Sequence, residues 1–422
     1  MKRVVTFLLA AGLVFAVAAP VAAAPPSSDP RTDAQDAAAW IASQVNAAGF
    51  IPVAANPAAA NYSLTAQAIP ALAAAGVGKT KIDAMLAYLG AHVDDFVVSG
   101  GVDNAGSLAY LILAATAAGA DPTSFGTTHT NLVTRLQATQ QASGLFGVAD
   151  PTFDGAFRQG LVLLALHAAG ASNPAGVTWL KQQQCSDGSW TSFRPDLSVP
   201  CPAVDPATFS GPDTNSTALA VVGLDAQAAT AAAAQGVAAL NAVRNAGGGW
   251  GFLARSDQTT DANSTGVVLA ALRTVNGTAD APGIAALLAL QVGCSADPTD
   301  RGGIAFQPGA GGKLVPDTFA TVQATPALAE VALPVAAGSV AADVPTPCAA
   351  PATTTSTTVA VTGATSTTTA PPVVVTDPTT PVTVAANELP RTGSSSLPLV
   401  VLALILLGVG TAFAVGTRRR RA

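Results

Sequence analysis

The feature that most constrains the fold of this chain is a recurrence. Six times a polar residue opens a stretch of small apolar residues: Asn61 (NYSLTAQAIPALAAAG), Asp103 (DNAGSLAYLILAATAAG), Asp154 (DGAFRQGLVLLALHAAG), Asp213 (DTNSTALAVVGL), Asp261 (DANSTGVVLAALRTVNG) and Asp317 (DTFATVQATPALAEVALP). The starts lie about 42 to 60 residues apart, a period at which each unit is one supersecondary element that buries its apolar face only against its neighbours. Asp or Asn at each start is a good helix N-cap, because its side chain accepts from the free amides of the first turn, and Gly closes several of the stretches.

Between these units runs a second series of helices: Asp33 to Asn46, Lys79 to Phe96, Thr127 to Gln141, Pro174 to Gln184, Ala231 to Asn245 and Ala281 to Val292. Each carries polar positions on one face, whereas the first series is apolar nearly all round. A helix apolar all round is buried and an amphipathic one covers it. Six hairpins made this way predict two concentric rings, an all-α (α/α)6 toroid over residues 33 to 349. Composition supports helices: half of the residues are hydrophobic while 5 % are aromatic and 10 % charged, so the core must be built from Ala, Leu and Val. Residues 31 to 349 hold about 12 basic and 22 acidic side chains, near −10, which argues against a nucleic-acid partner.

The two ends read differently. Lys2 and Arg3 precede an apolar run from Val4 to Ala19 and then small residues through Pro25. This is the pattern of a signal peptide, residues 1 to 23, cut after Ala23, with 24 to 32 as a linker and an uncleaved anchor as the alternative. Residues 350 to 388 are rich in Thr, Pro, Val and Ser and are expected to form an extended stalk, since they cannot bury a core. Then come Leu389, Pro390, Arg391, Thr392 and Gly393, an apolar segment from Leu397 to Val415, and a basic tail from Arg418 to Arg421. Together these resemble the LPXTG sorting signal of Gram-positive surface proteins. The resemblance implies transient membrane insertion, a sortase cutting between Thr392 and Gly393, and attachment of Thr392 to peptidoglycan. A plain single-pass anchor is the alternative.

The link between the two helix series has its own signature, Gly and an aromatic residue after the outer helix, as in Gly188-Ser189-Trp190, Gly249-Trp250-Gly251-Phe252 and Gly302-Gly303-Ile304-Ala305-Phe306. Trp179 to Gln184 with Gly188 to Trp190 resembles the QW repeat of squalene and hopene cyclases. Gly249 to Phe252 is similar to the glycine-aromatic turns of prenyltransferase beta subunits, and Asp213 to Leu224 to the inner helices of the transcobalamin and intrinsic-factor family. These families share the toroid, so the resemblance implies a fold and leaves function open.

Their chemistry finds little footing. The acid-rich motif of hopene cyclases has no match; His92-Val93-Asp94-Asp95 lacks the first acid. His92, His129 and His167 are dispersed and no Asp-x-Cys pair precedes them, so no metal site or cofactor is expected. The enzyme alternative is a glycan hydrolase or lyase working through a carboxylate pair, or a divergent terpenoid-cyclase-like protein, although Asp213, Asp261 and Asp317 are already explained as caps. The preferred expectation is a wall-displayed module that binds a small molecule, peptide or glycan at the toroid mouth, with no catalytic residue assigned.

Candidate binding residues follow from the rings. Asp213 and Asp261 open inner helices at the mouth; Trp190, Trp250 and Phe252 either stand at that rim or pack beneath the turn. The first and last units align without a gap, Thr65 to Ala73 with Thr321 to Ala329, each with a proline inside its helix, Pro70 and Pro326. Such a proline leaves the carbonyl four residues earlier, on Ala66 or Val322, without its usual donor. Gln67 and Gln323 are expected to satisfy those carbonyls or to reach a ligand, on neighbouring helices if the ring closes. Arg158 and Gln159 are the other long polar side chains of the inner series. Cys185, Cys201, Cys294 and Cys348 in an exported chain are expected to pair as neighbours, Cys185 with Cys201 and Cys294 with Cys348.

Overall fold

The computed structural model describes residues 30 to 148 and 155 to 348. The expected signal peptide, stalk, sorting motif, C-terminal apolar segment and basic tail lie outside the described residues, as does Asp154. Among the described residues no helix is long and apolar enough to cross a membrane.

The chain forms six inner helices: α2 (Tyr62–Ala75), α5 (Ala105–Ala117), α7 (Ala156–Ala168), α9 (Thr214–Ala226), α11 (Ala262–Asn276) and α13 (Thr318–Leu328). Each packs on the next in that order, and α13 packs on α2, so the ring closes. Outside it lie α1 (Pro30–Gln44), α3 (Lys79–Ala91) with the short α4 (Val93–Val97), α6 (Leu132–Ala138), α8 (Pro174–Gln182), α10 (Thr230–Ala242) and α12 (Ala281–Leu288). The outer helices sit over the inner ones, and α1 covers the seam, touching both α13 and α2. The first element thus fills the outer position beside the last. The difference in apolar pattern matches this layering: every residue of α9 from Thr214 to Leu224 is buried, whereas α10 buries Ala232, Ala233, Gly236, Ala239 and Leu240.

Boundaries differ from expectation where local chemistry intervenes. α1 begins at Pro30, so the last residues of the expected linker are helical. The second outer helix is broken at His92, which ends α3 and precedes α4. The third is shorter than Thr127 to Gln141, because Asn131 caps it and accepts from Thr134 N at 2.9 Å. In the second inner helix the cap is Asn104, accepting from Ser107 N, one residue later than expected. The displaced Asp103 instead takes the Arg135 guanidinium, Nε to Oδ2 at 2.9 Å. Two short hairpins occupy inter-ring links, β1 (Pro52–Val53) with β2 (Asn56–Ala60) and β3 (Val98–Ser99) with β4 (Val102–Asp103).

Glycine permits the tightest contacts. A Cβ on Gly160 of α7 would lie 2.1 Å from Leu219 O of α9, so these two backbones touch. Gly302, at φ +82°, is pressed against Asp36 O of α1 at 2.3 Å from where its Cβ would be, and ties the sixth link to the first helix.

Both expected disulfides are present. Cys185–Cys201 pins the loop before α9, and Cys294–Cys348 ties the end of the domain to the sixth hairpin. Paired cysteines of this kind fit an oxidising, extracellular or exported setting. The second bridge anchors a segment that the helical pattern does not foretell. After α13 the chain runs beneath the C-terminal ends of the inner helices: Leu333 N donates to Thr274 Oγ1 at 2.8 Å and Val335 is buried. Further on, Ala341 N donates to Gly76 O and Lys79 N to Ala341 O, both at 2.9 Å. The strap ends at Cys348, whose N–H reaches the Asp36 carboxylate.

Candidate functional site

The ring encloses a cavity in which about 120 Å³ is open to the centres of water-sized spheres. About 10–15 Å³ of such space holds one water, so a small organic molecule fits. Its wall follows a simple register counted from each N-cap. With Gly155 as the cap of α7, the sixth residue after the cap faces the cavity on every inner helix: Gln67, Tyr110, Leu161, Leu219, Val267 and Gln323. One turn further on are Pro70, Leu113, Leu164, Ala270 and Pro326, and Leu333, Pro334 and Val335 of the strap close the far side.

The fourth residue after the cap points the other way, since two positions along an α-helix turn the side chain by about 200°. There the units repeat one hydrogen bond. Ile51 N donates to Thr65 Oγ1, Phe146 N to Gln159 Oε1, Trp190 N to Thr217 Oγ1 and Trp250 N to Thr265 Oγ1, each at 3.0 Å, and Ile304 N to Thr321 Oγ1 at 2.9 Å. The outer end of five of the six links is thereby fixed to the inner helix.

Of the candidate binding residues, Gln67 and Gln323 line the cavity, on the adjacent helices α2 and α13. They do not serve the carbonyls released by the prolines. Gln67 Nε2 donates to Ser63 O at 3.2 Å, and Gln323 Oε1 accepts from Asn263 Nδ2 at 3.1 Å. The remaining candidates are absent from the cavity wall. Trp190 and Trp250 are fully buried and donate their indole N–H to Leu180 O at 2.9 Å and Leu240 O at 2.8 Å. That is packing beneath the turn rather than display at the rim. The Arg244 guanidinium stacks 4.5 Å above the Trp250 ring. Phe252 stacks at the periphery on Phe209, centroids 5.0 Å apart.

Arg158 turns outward, with Nη2 donating to Val148 O at 2.6 Å. Gln159 is consumed by Phe146 N, Gly144 O and Gly176 O. Asp213 and Asp261 are buried caps that accept from Ser216 N and Ser264 N. Desolvation raises their carboxyls to about 7 and about 6, against the opposing pull of those bonds.

Tyr110 is the residue that the sequence reading missed. It is 8 % exposed, lines the cavity, and its hydroxyl has no hydrogen-bond partner among the described residues. Burial raises its pKa, so it stays a neutral phenol. Its place six residues after Asn104, matching Gln67 after Asn61, is the signal that could have found it.

No family model matches the chain, and no curated protein does. Solved structures do. An unsaturated glucuronyl hydrolase specific for heparin aligns at 14 % identity over 71 % of this chain and 96 % of that one, with TM-score 0.51. The type II terpene cyclase MstE from Scytonema aligns at 16 % over 71 % and 97 %, TM-score 0.48. An ent-copalyl diphosphate synthase from Streptomyces platensis aligns at 21 % over 64 % of this chain, TM-score 0.43, and the match spans half of that protein. What this chain shares with the glucuronyl hydrolase is the fold, an α/α toroid.

Proposed function

We propose that this protein is a surface-displayed capture module whose toroid holds a small, largely apolar molecule in its central cavity. The observation that carries the reading is the cavity wall. Among the described residues that line it, Gln67, Tyr110 and Gln323 carry the polar side chains. A concave, mostly apolar space with a few convergent polar groups is what small-molecule sites look like. Among the described residues, that wall offers no carboxylate or imidazole, which weighs against a carboxylate pair for glycan cleavage and against a cyclase-like carboxylic acid. Display rests on the sequence: the sorting pattern Leu389 to Gly393 would hold the domain at the wall, with sortase and peptidoglycan as the partners.

Two experiments test these halves separately. Purified protein is incubated with cell extract and with glycan and isoprenoid panels, then analysed by mass spectrometry; retained mass without product is expected, and a new product would overturn the capture reading. Thr392→Ala is expected to move the protein from the wall fraction to membrane or medium, and unchanged wall recovery would reject sortase anchoring.

A further inference from the structure

The cavity has two unlike sides. At the level six residues after the caps, three consecutive helices, α13, α2 and α5, present Gln323, Gln67 and Tyr110, while the three facing helices present Leu161, Leu219 and Val267. The polar arc is already oriented. Gln323 spends its oxygen on Asn263 Nδ2, leaving Nε2 as a donor. Gln67 spends its nitrogen on Ser63 O, leaving Oε1 as an acceptor. Tyr110 is 8 % exposed at the cavity wall, and its hydroxyl, which either donates or accepts, meets no protein group among the described residues. A hydroxyl that faces a cavity without a protein partner is open to a molecule that enters it.

We propose that the cavity recognises an uncharged, hydrocarbon-rich molecule through a single hydroxyl group, held by Gln323, Gln67 and Tyr110. A hydroxyl both donates and accepts, so it gives to Gln67 Oε1 and takes from Gln323 Nε2 or Tyr110 while the hydrocarbon body lies on the leucine-valine side. A carboxylate or ammonium head is disfavoured, because among the described residues no side chain of opposite charge lines the space and burying an unpaired charge is expensive. The proposal rests on the capture reading above and adds the head-group chemistry to it.

The test uses three probes of like size on the purified protein: 1-octanol, 1-methoxyheptane, which lacks the donor, and octanoate. Titration calorimetry is expected to give 1-octanol about tenfold tighter binding than the ether, the advantage of one to two neutral hydrogen bonds, and the weakest binding for octanoate. In Tyr110→Phe and in Gln67→Leu the preference for the alcohol is expected to fall at least about threefold with melting unchanged. If none of the probes binds, the capture reading fails and this one with it. If the three bind alike, or if neither substitution alters the preference, the hydroxyl proposal fails while an apolar capture cavity stands.

Discussion

The two faces of the inner helices behave differently. On the outward face, four residues after the cap, five of the six units make one and the same bond to the link that precedes them, with Thr four times and Gln once. On the inward face, six residues after the cap, the units diverge into Gln, Tyr, Leu, Leu, Val and Gln. Uniformity where each unit meets its own link is what a repeated fold requires, since every hairpin faces the same mechanical problem. Divergence toward the centre has no such cause, because six identical side chains would fill the ring as well. The comparison separates residues that build the toroid from residues that use it.

The largest blow to the outward side is Trp190→Ala. Emptying a fully buried indole site and removing its bond to Leu180 O should cost about 3–5 kcal/mol in urea denaturation; a loss under about 1 kcal/mol would return Trp190 to the rim. Next is the buried cap Asp213. Its carboxyl titrates near 7 in the fold and near 3.8 when unfolded. Between those values the folded protein keeps a proton that the unfolded chain has released, so stability from this group is fully present below about pH 4 and lost as pH rises to 7. Asp213→Asn keeps a capping acceptor and removes the charge. Its stability relative to wild type is expected to rise through that window, by on the order of 1.4 kcal/mol per unit of pKa shift, and to stay constant on either side; denaturation at a series of pH values reads this directly.

Thr217→Val removes the acceptor of Trp190 N and leaves a buried amide unpaired, a loss of about 1–3 kcal/mol with ligand capture intact. Gln67→Leu, on the inward face, is expected to change stability by less than about 1 kcal/mol while altering what the cavity retains. If Thr217→Val abolished capture at unchanged stability, or Gln67→Leu unfolded the protein, the separation of the two faces would be wrong.

Much of this was legible in the chain. Four of the six expected starts, Asn61, Asp213, Asp261 and Asp317, cap their inner helices as capping chemistry dictates, the second shifts by one residue to Asn104 and α7 opens on Gly155, and the polar face of each intervening helix gives the outer ring. Gln67 and Gln323 emerged from the alignment of the first and last units, and closure brings their helices together as expected. The pairing of cysteines with their sequence neighbours also holds. What escaped was depth. For Trp190 and Trp250 the sequence left rim display and packing beneath the turn both open, and their burial is decided by the turn folding back over them. Arg158 and Gln159 look inward-facing until helical phase is counted from the cap. Tyr110 reads as one more apolar residue of an apolar helix. The strap has no periodicity at all, since its bonds to Thr274, Gly76 and Asp36 are set by a ring that exists only after all six units have assembled.

That α1 covers the seam between α13 and α2 fixes the number of units. An open stack of helical hairpins can gain or lose a member, because its ends are capped and its interfaces are alike. Here the circumference is spoken for. A seventh hairpin would have no gap to enter, and removing one would leave α1 spanning a breach with its buried face toward water. Variation in this molecule is therefore confined to the loops and to the inward side chains, and its architecture can be retuned but not lengthened.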